Sequence, residues 1–436
     1  MGKKKTLKKT QGGKAIAAGS YGCVFNPALK CADSTKHPYN PATISKLMYR
    51  RNAHAELEEI KKVKKFIETI PNKDDYFIVS TTFGCSPAKI TEPADLSGFN
   101  EKCSLFTDEG IHQGNVNTHL DKLALIIMPN GGSNIQEFFI KISQLPKKEM
   151  ELAFVSGNTA LIKLLVNGIQ PLTAQGFNHN DIKAGNIVMS ADGHARLIDW
   201  GLASASDGVH IPEMVQNRPI AFNMPFSDIF FNTYIKDWLP EALRKATAST
   251  QLRDKNIGQR EVLKMVAVNM INESILQMGE GQYDYVTQII LHDIYKIYAM
   301  RNGSNRLDYN VLAFNALIDY VHAVLLDYVD DKGTFQETRY FYDVFSKNVD
   351  IWGFLLAYVP IIEYGADKFS PDLIDSICRI LLKYCFSTEF ATKAIDIKEL
   401  ALDLQSLNGF HTTSKTHRLS KTHRLSKSLK KSLKKR

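Results

Sequence analysis

Residues 177–204, F-N-H-N-D-I-K-A-G-N-I-V-M-S-A-D-G-H-A-R-L-I-D-W-G-L-A-S, leave the chain little conformational choice. Ile187-Val188-Met189 and Ala195-Arg196-Leu197-Ile198 read as two short apolar strands, and Asp192-Gly193 between them is a tight-turn signal. A hairpin at this point fixes three polar side chains at one end of a β-ribbon: Asp181 and Asn186 just before it, Asp199 just after. Two carboxylates and an amide in one place suit Mg²⁺ carried on a polyphosphate. Magnesium takes hard oxygen ligands, keeps several waters and needs only two side chains from the protein. The third group is then free to orient a nucleophile.

H-N-D-I-K-A-G-N resembles the catalytic loop of protein kinases, H-R-D-L-K-x-x-N, and D-W-G resembles their D-F-G. Asp181 and Asn186 are five positions apart and Asn186 and Asp199 thirteen, the separations usual in that family. The resemblance implies Asp181 as catalytic base, Lys183 as the lysine that neutralises the transferring phosphoryl group, and Asn186 and Asp199 as metal ligands. A chance D-x-x-x-x-N beside an ordinary hairpin is the plainer alternative, but it must also explain His179, Lys183 and Asp199 in register.

Upstream, residues 15–47 read as strands around a glycine turn. The run A-I-A-A-G-S-Y-G-C-V-F is similar to the kinase glycine-rich loop, with Gly19, Gly22 and Val24 matched, Ser20 and Tyr21 at the tip, and Ala17 in place of the first glycine. Glycines let backbone N–H groups approach phosphates unobstructed. Lys46 in I-S-K-L-M resembles the strand lysine that grips the nucleotide phosphates; a surface lysine is the alternative. Residues 51–70 show helical spacing of Leu57, Ile60, Val63 and Phe66-Ile67. There the family places a glutamate paired with that lysine, here Glu56, with Glu59 competing. Residues 76–79 read as a strand, 87–120 as a polar insertion and 123–128 as a buried strand. The bend Pro129-Asn130-Gly131-Gly132 then resembles the hinge where adenine binds, which puts Ile127, Met128 and Asn130 beside the nucleotide.

Downstream, residues 158–175 form an amphipathic helix closed by Gly176. After D-W-G the segment ends in N-R-P-I-A-F-N-M-P-F-S-D, where Pro225 fits the family's A-P-E anchor and the glutamate does not. Helical patterns follow at 259–278, 284–300, 308–328 and 335–347. The run V-D-I-W-G-F-L-L-A-Y resembles the family's central buried helix, whose aspartate, Asp350 here, holds the catalytic loop. Further helices are expected at 371–387 and 394–407. N-V-D-I-W-G-F after a helical insertion, with the P-F-S anchor, is similar to serine/threonine kinases of giant nucleocytoplasmic DNA viruses. That likeness implies an infected cell's cytoplasm, and the virion, as the location.

A net charge of +8 describes the ends of the chain. Residues 1–14 carry six lysines and 415–436 ten lysines or arginines, without an acid; removing these sixteen leaves 38 basic against 46 acidic residues. Neither end has apolar residues enough for a core, so the arm 1–14 is expected to be disordered and 411–436 reads as a basic low-complexity tail. The tandem K-T-H-R-L-S tail suits nucleic acid or an anionic surface, and is equally consistent with mere solvation. M-G-K-K-K-T matches a myristoylation pattern at Gly2, against the alternative of a solubilising arm. Six cysteines without a C-x-x-C spacing are expected to be free thiols in a reducing, intracellular compartment. No apolar run reaches the roughly 18 residues of a membrane span, and no secretory leader is evident.

The resulting expectation is an α+β, bilobal protein-kinase-like fold, with a small β-rich N-lobe (15–128), a hinge (129–134) and a large helical C-lobe (135–410). A helical insertion (229–340) separates the activation segment from the central helix. Implied is ATP- and Mg²⁺-dependent phosphoryl transfer to serine or threonine hydroxyls of proteins. Asn180 replaces the arginine that in the family reads an activation-segment phosphate, so activity is expected without that modification. Two rivals stay open: a small-molecule alcohol kinase, and a non-catalytic pseudokinase scaffold that binds a partner through the insertion.

Overall fold

The computed structural model describes residues 13–19, 22–91, 93–252, 258–301 and 308–411. Residues 1–12 of the basic arm, Gly2 among them, and 412–436 of the 411–436 tail lie outside them, whereas Lys14, expected in the arm, opens the first strand. The N-terminal part is built on an antiparallel sheet of β1 (Lys14–Gly19), β2 (Gly22–Asn26), β3 (Thr43–Tyr49), β4 (Phe83–Cys85) and β5 (Leu123–Pro129), in the order β1-β2-β3-β5-β4. Register sets Val24 opposite Lys46 and Lys46 opposite Ile126. Side chains alternate along a strand, so these three share a face with Met48, while Cys23, Leu47, Leu125 and Ile127 take the other. Helix Arg50–Ile67 covers the first face, where Ala53 packs on Met48 and Ile126.

The second face explains why 87–120 is not the polar insertion expected. Leu96, Phe99, Phe106, Ile111 and Val116 are buried against Phe25, Leu47 and Leu125, so short helical turns form a cap with its own core. Phe99 and Phe106 stack with centroids 5.8 Å apart. The cap also overturns the expectation of free thiols. Cys23 pairs with Cys103 and Cys31 with Cys85, across 80 and 54 residues of chain, whereas Cys378 and Cys385 are free and buried. Spacing could not announce these pairs, because the packing of the cap on β2 brings Cys23 to Cys103, and the approach of the segment after β2 to β4 brings Cys31 to Cys85.

Residues 76–79 form no strand. Tyr76, Phe77 and Val79 are apolar because they are buried against the helical part, with a single parallel bridge from Phe77 to Leu197, and β4 takes the sheet position instead.

The C-terminal part is helical. Asn134 caps helix Ile135–Ser143 by accepting the Glu137 N–H at 2.8 Å. The long helix runs Lys147–Ala174, earlier in onset than expected because Met150 and Phe154 continue its buried face, and Gly176 ends it at φ +74°. Helix Thr233–Leu252 opens the insertion, hidden in sequence by Pro240 inside it. Gln259–Met278, His292–Arg301 and Tyr309–Tyr328 follow, then the central helix Ser346–Leu356, in which every residue from Asn348 on is buried, and helices Pro371–Tyr384 and Ile397–Ser406. By length and composition Lys147–Ala174 and Tyr309–Tyr328 are long and apolar enough to cross a membrane, contrary to expectation; their apolar windows are 50% and 44% buried within the helical core.

The two disulfides generate a test. Each closes a long loop, and such bridges typically contribute about 2–4 kcal/mol. A non-reduced digest should show Cys23–Cys103 and Cys31–Cys85 peptides, and reduction should lower the melting temperature of the N-terminal part. Free thiols at all six positions in the native protein would refute the pairing.

Candidate active site

The loop 178–186 is fastened from behind. The Asp350 carboxylate accepts the backbone N–H of His179 at 2.7 Å and of Asn180 at 2.9 Å, and the Asn178 amide at 3.4 Å. Burial raises the Asp350 carboxyl, and these donors with the His179 charge pull it back. One turn along the same helix, a Cβ on Gly353 would run into the Ile182 carbonyl, so helix and loop approach closely only because the residue is glycine. His179 is fully buried, its Nε2 3.0 Å from the Ile198 carbonyl and its ring 4.7 Å from that of Trp200.

Asp181 is held by three side chains. Lys183 Nζ donates to both its oxygens at 2.8 and 3.1 Å, Asn186 Nδ2 to Oδ2 at 2.9 Å, and Asn223 Nδ2 to Oδ1 at 2.9 Å. Asn186 thereby engages its NH₂ and keeps its carbonyl oxygen as a donor atom. The expected hairpin forms from Ile187–Met189 and Ala195–Leu197, with Ile187 opposite Leu197 and Met189 opposite Ala195. Ile198 N–H then donates to the Asn186 carbonyl at 3.0 Å, which sets Asp199 beside Asn186. Asp199 adopts φ +66°, is exposed, and makes no hydrogen bond or ion pair among the described residues.

Lys46 Nζ meets Glu56 Oε2 at 2.7 Å, the two side chains 13% and 11% exposed. Glu59 instead pairs with Lys62. Burial raises the Glu56 carboxyl, Lys46 opposes this, and the charge of Asp199 raises it further. Asp199 and the Lys46–Glu56 pair therefore share one electrostatic neighbourhood, although 153 positions separate Lys46 from Asp199.

Gly19 faces Gly22 across the β1–β2 turn; Ser20 and Tyr21 lie outside the described residues. Val24 stands opposite Lys46 on the cleft side of the sheet. Ile127 does not border that cleft with its side chain, which packs into the cap core; strand alternation gives the Lys46 face to Ile126 and Met128. Asn130 bonds back into the bend, its N–H on the Ala42 carbonyl and its Oδ1 accepting Gly132 N–H at 3.0 Å.

Among the described residues no group of three or more His, Cys, Asp or Glu side chains could hold a metal by itself. The Asn186 side-chain carbonyl and the Asp199 carboxylate, at the two ends of the hairpin, are hard oxygen donors of the kind that suits Mg²⁺.

Sequence reasoning missed Asn223, which braces Asp181 from 42 residues away, and Asp228, three residues past Pro225. Nothing local marks Asn223, since its partner is visible only in three dimensions. Asn180, in the place of the family's arginine, donates its amide to the Leu202 carbonyl at 3.0 Å and to Ser204 Oγ at 2.8 Å.

No protein-family model matches the chain. Over 84 residues, 19% of its length, it is 31% identical to mitogen-activated protein kinase kinase kinase kinase 3 of Rattus norvegicus, and equally to that of Homo sapiens and of Mus musculus. The chain spans less than a tenth of those relatives' own length. The similarity is thus to a protein kinase over a limited stretch, and a mixed architecture of β-rich N-terminal and helical C-terminal parts is compatible with that likeness.

Asp228 yields a pH test. Burial pushes its carboxyl up to about 8, with Arg218 opposing, while an unfolded aspartate titrates near 3.9. A raised folded value means the stabilisation is complete below about pH 4 and is lost as pH rises toward 8. Asp228→Asn should remove this slope, so the variant gains on the wild type by a few degrees of melting temperature between pH 5 and 8.5. Parallel curves for the two proteins would show that the carboxyl is already ionised.

Proposed function

We propose that this chain transfers the γ-phosphate of ATP to a hydroxyl of a protein substrate. What supports the reading is that Asp199, at the end of the hairpin that Asn186 and Asp181 precede, acts on the charge of Glu56, the partner of Lys46. In this reading Asp181 accepts the proton of the attacking hydroxyl as the new O–P bond forms and the bond to the departing ADP breaks. Lys183, within 2.8 Å of Asp181, stands where negative charge develops on the phosphoryl oxygens. Lys46, kept in place by Glu56, orients the nucleotide phosphates under the β1–β2 turn. Magnesium, when held by Asn186 and Asp199, supplies neutralisation of phosphate charge. The rest of the catalysis is positioning, which suits a site whose base is gripped by three side chains.

A protein rather than a small alcohol as substrate is favoured by Lys183 two residues past Asp181, the glycine turn and D-I-W-G, and serine or threonine as acceptor by the likeness to serine/threonine kinases. The narrower likeness to kinases of giant nucleocytoplasmic DNA viruses rests on N-V-D-I-W-G-F after a helical insertion and on the P-F-S anchor.

Radiolabelled ATP with a generic protein substrate tests the reading. Asp181→Ala should reduce kcat by at least about 10²–10⁴-fold, and Asp199→Asn should abolish Mg-ATP-dependent thermal stabilisation, both with the wild-type fold. Retention of most activity by Asp181→Ala would make the assignment wrong.

A further inference from the structure

The contacts of residues 217–223 give the helical insertion a task. On the inner side, Arg218 Nη1 donates to the Asn180 carbonyl at 2.8 Å, and Asn223 Nδ2 to Asp181 Oδ1 at 2.9 Å and to the Ile182 carbonyl at 3.2 Å. This strap therefore holds the three consecutive residues at the centre of the loop. On the outer side it is gripped by the insertion. Asn217 Oδ1 accepts the backbone N–H and the hydroxyl of Thr233 at 2.9 and 2.7 Å, at the start of helix Thr233–Leu252. Gln282 brackets the strap's middle: its N–H donates to the Ile220 carbonyl at 2.8 Å, and its side-chain oxygen accepts the Phe222 N–H at 3.1 Å. Gly281, at φ +54°, abuts the strap so closely that a Cβ would lie 2.5 Å from the Ile220 carbonyl oxygen. Phe222 is further fixed by Trp352 Nε1 on its carbonyl at 3.0 Å and by the Tyr285 ring, 5.5 Å away edge-on.

These bonds form a continuous relay from the insertion surface to the carboxylate of Asp181. The position before Asp181 carries Asn180, whose side-chain amide donates to the neutral Leu202 and Asn178 carbonyls and to Ser204 Oγ. The cation of the arrangement, Arg218, sits on the strap and points at the loop's backbone. We infer that the insertion is a built-in activator: through Gly281 and Gln282 it props the strap 217–223 against the catalytic loop and so keeps Asp181 oriented without modification of the segment. Gln282 is a positioning residue, since it touches neither the cleft nor a nucleotide. The consequence for turnover rests on the phosphotransfer reading, whereas the prop itself does not.

The full-length chain with Gln282→Ala, Gly281→Ala or Gln282→Glu tests this. Readouts are kcat and KM for ATP on a generic protein substrate, melting temperature, and amide hydrogen exchange by mass spectrometry. Gln282→Ala and Gly281→Ala should lower kcat about tenfold, the loss of one or two well-formed hydrogen bonds at the strap, with KM for ATP within about twofold. Exchange at 178–186 should quicken while β1–β3 stays as in the wild type. Gln282→Glu keeps an acceptor for the Phe222 N–H and should behave as wild type, and phosphatase treatment should leave wild-type turnover unchanged. Wild-type kcat and exchange in Gln282→Ala would overturn the inference. So would a parallel fall in ATP affinity and melting temperature, which would mark the contact as merely structural. Should the wild type transfer no phosphate at all, the phosphotransfer reading fails and the exchange data decide alone: faster exchange at 178–186 upholds the prop, unchanged exchange rejects it.

Discussion

A carboxylate taken out of water must find donors, and in this chain the donors Asp350 finds are the backbone N–H groups of His179 and Asn180. Everything on the cleft side of the loop depends on that exchange. It fixes the backbone immediately before Asp181, so that the side chains of Lys183, Asn186 and Asn223 meet a carboxylate whose position is already set. The central helix contributes a second constraint through the absent Cβ of Gly353, which allows loop and helix to pack backbone to backbone. A rigid rear wall of this kind is what lets a few hydrogen bonds of ordinary strength define the front of the site.

The N-terminal part solves a different problem. A single twisted sheet with one helix covers only one face, and an uncovered second face would expose Phe25, Leu47 and Leu125. The cap drawn from 93–118 buries that face and is tied to β2 by the Cys23–Cys103 disulfide, while Cys31–Cys85 fastens the segment after β2 to β4. Lys46 benefits indirectly: its strand lies between β2 and β5, and its ammonium is directed at Glu56 within a sheet that has little room to shift.

Charge is handled differently in the two parts. Lys46 and Glu56 form a mostly buried pair, in which each partner offsets the desolvation of the other. Around Asp181 one cation, Lys183, is joined by two neutral amides. Asp199 alone is left exposed and without a protein partner among the described residues, the state expected of a group whose partner arrives with a ligand.

Much of the site was legible because its pieces are local. Asp181, Asn186 and Asp199 lie on one hairpin, and the apolar alternation with Asp192-Gly193 dictates that hairpin wherever it is placed. Helix-forming runs such as 259–278 and 309–328 were equally plain from their periodicity. What the chain order conceals is partnership at a distance. Residues 76–79 are apolar enough for a strand but are consumed by an interface, and the six cysteines show no spacing that betrays their pairs. Ile127 could not be assigned a face until the register with Lys46 was known. Asn223, Arg218 and Gln282 have no local signature, because each matters only through a residue far away in the chain. Local hydrogen bonding and side-chain periodicity are written in the sequence; long-range packing, which chose these partners, depends on how all the buried surfaces fit at once.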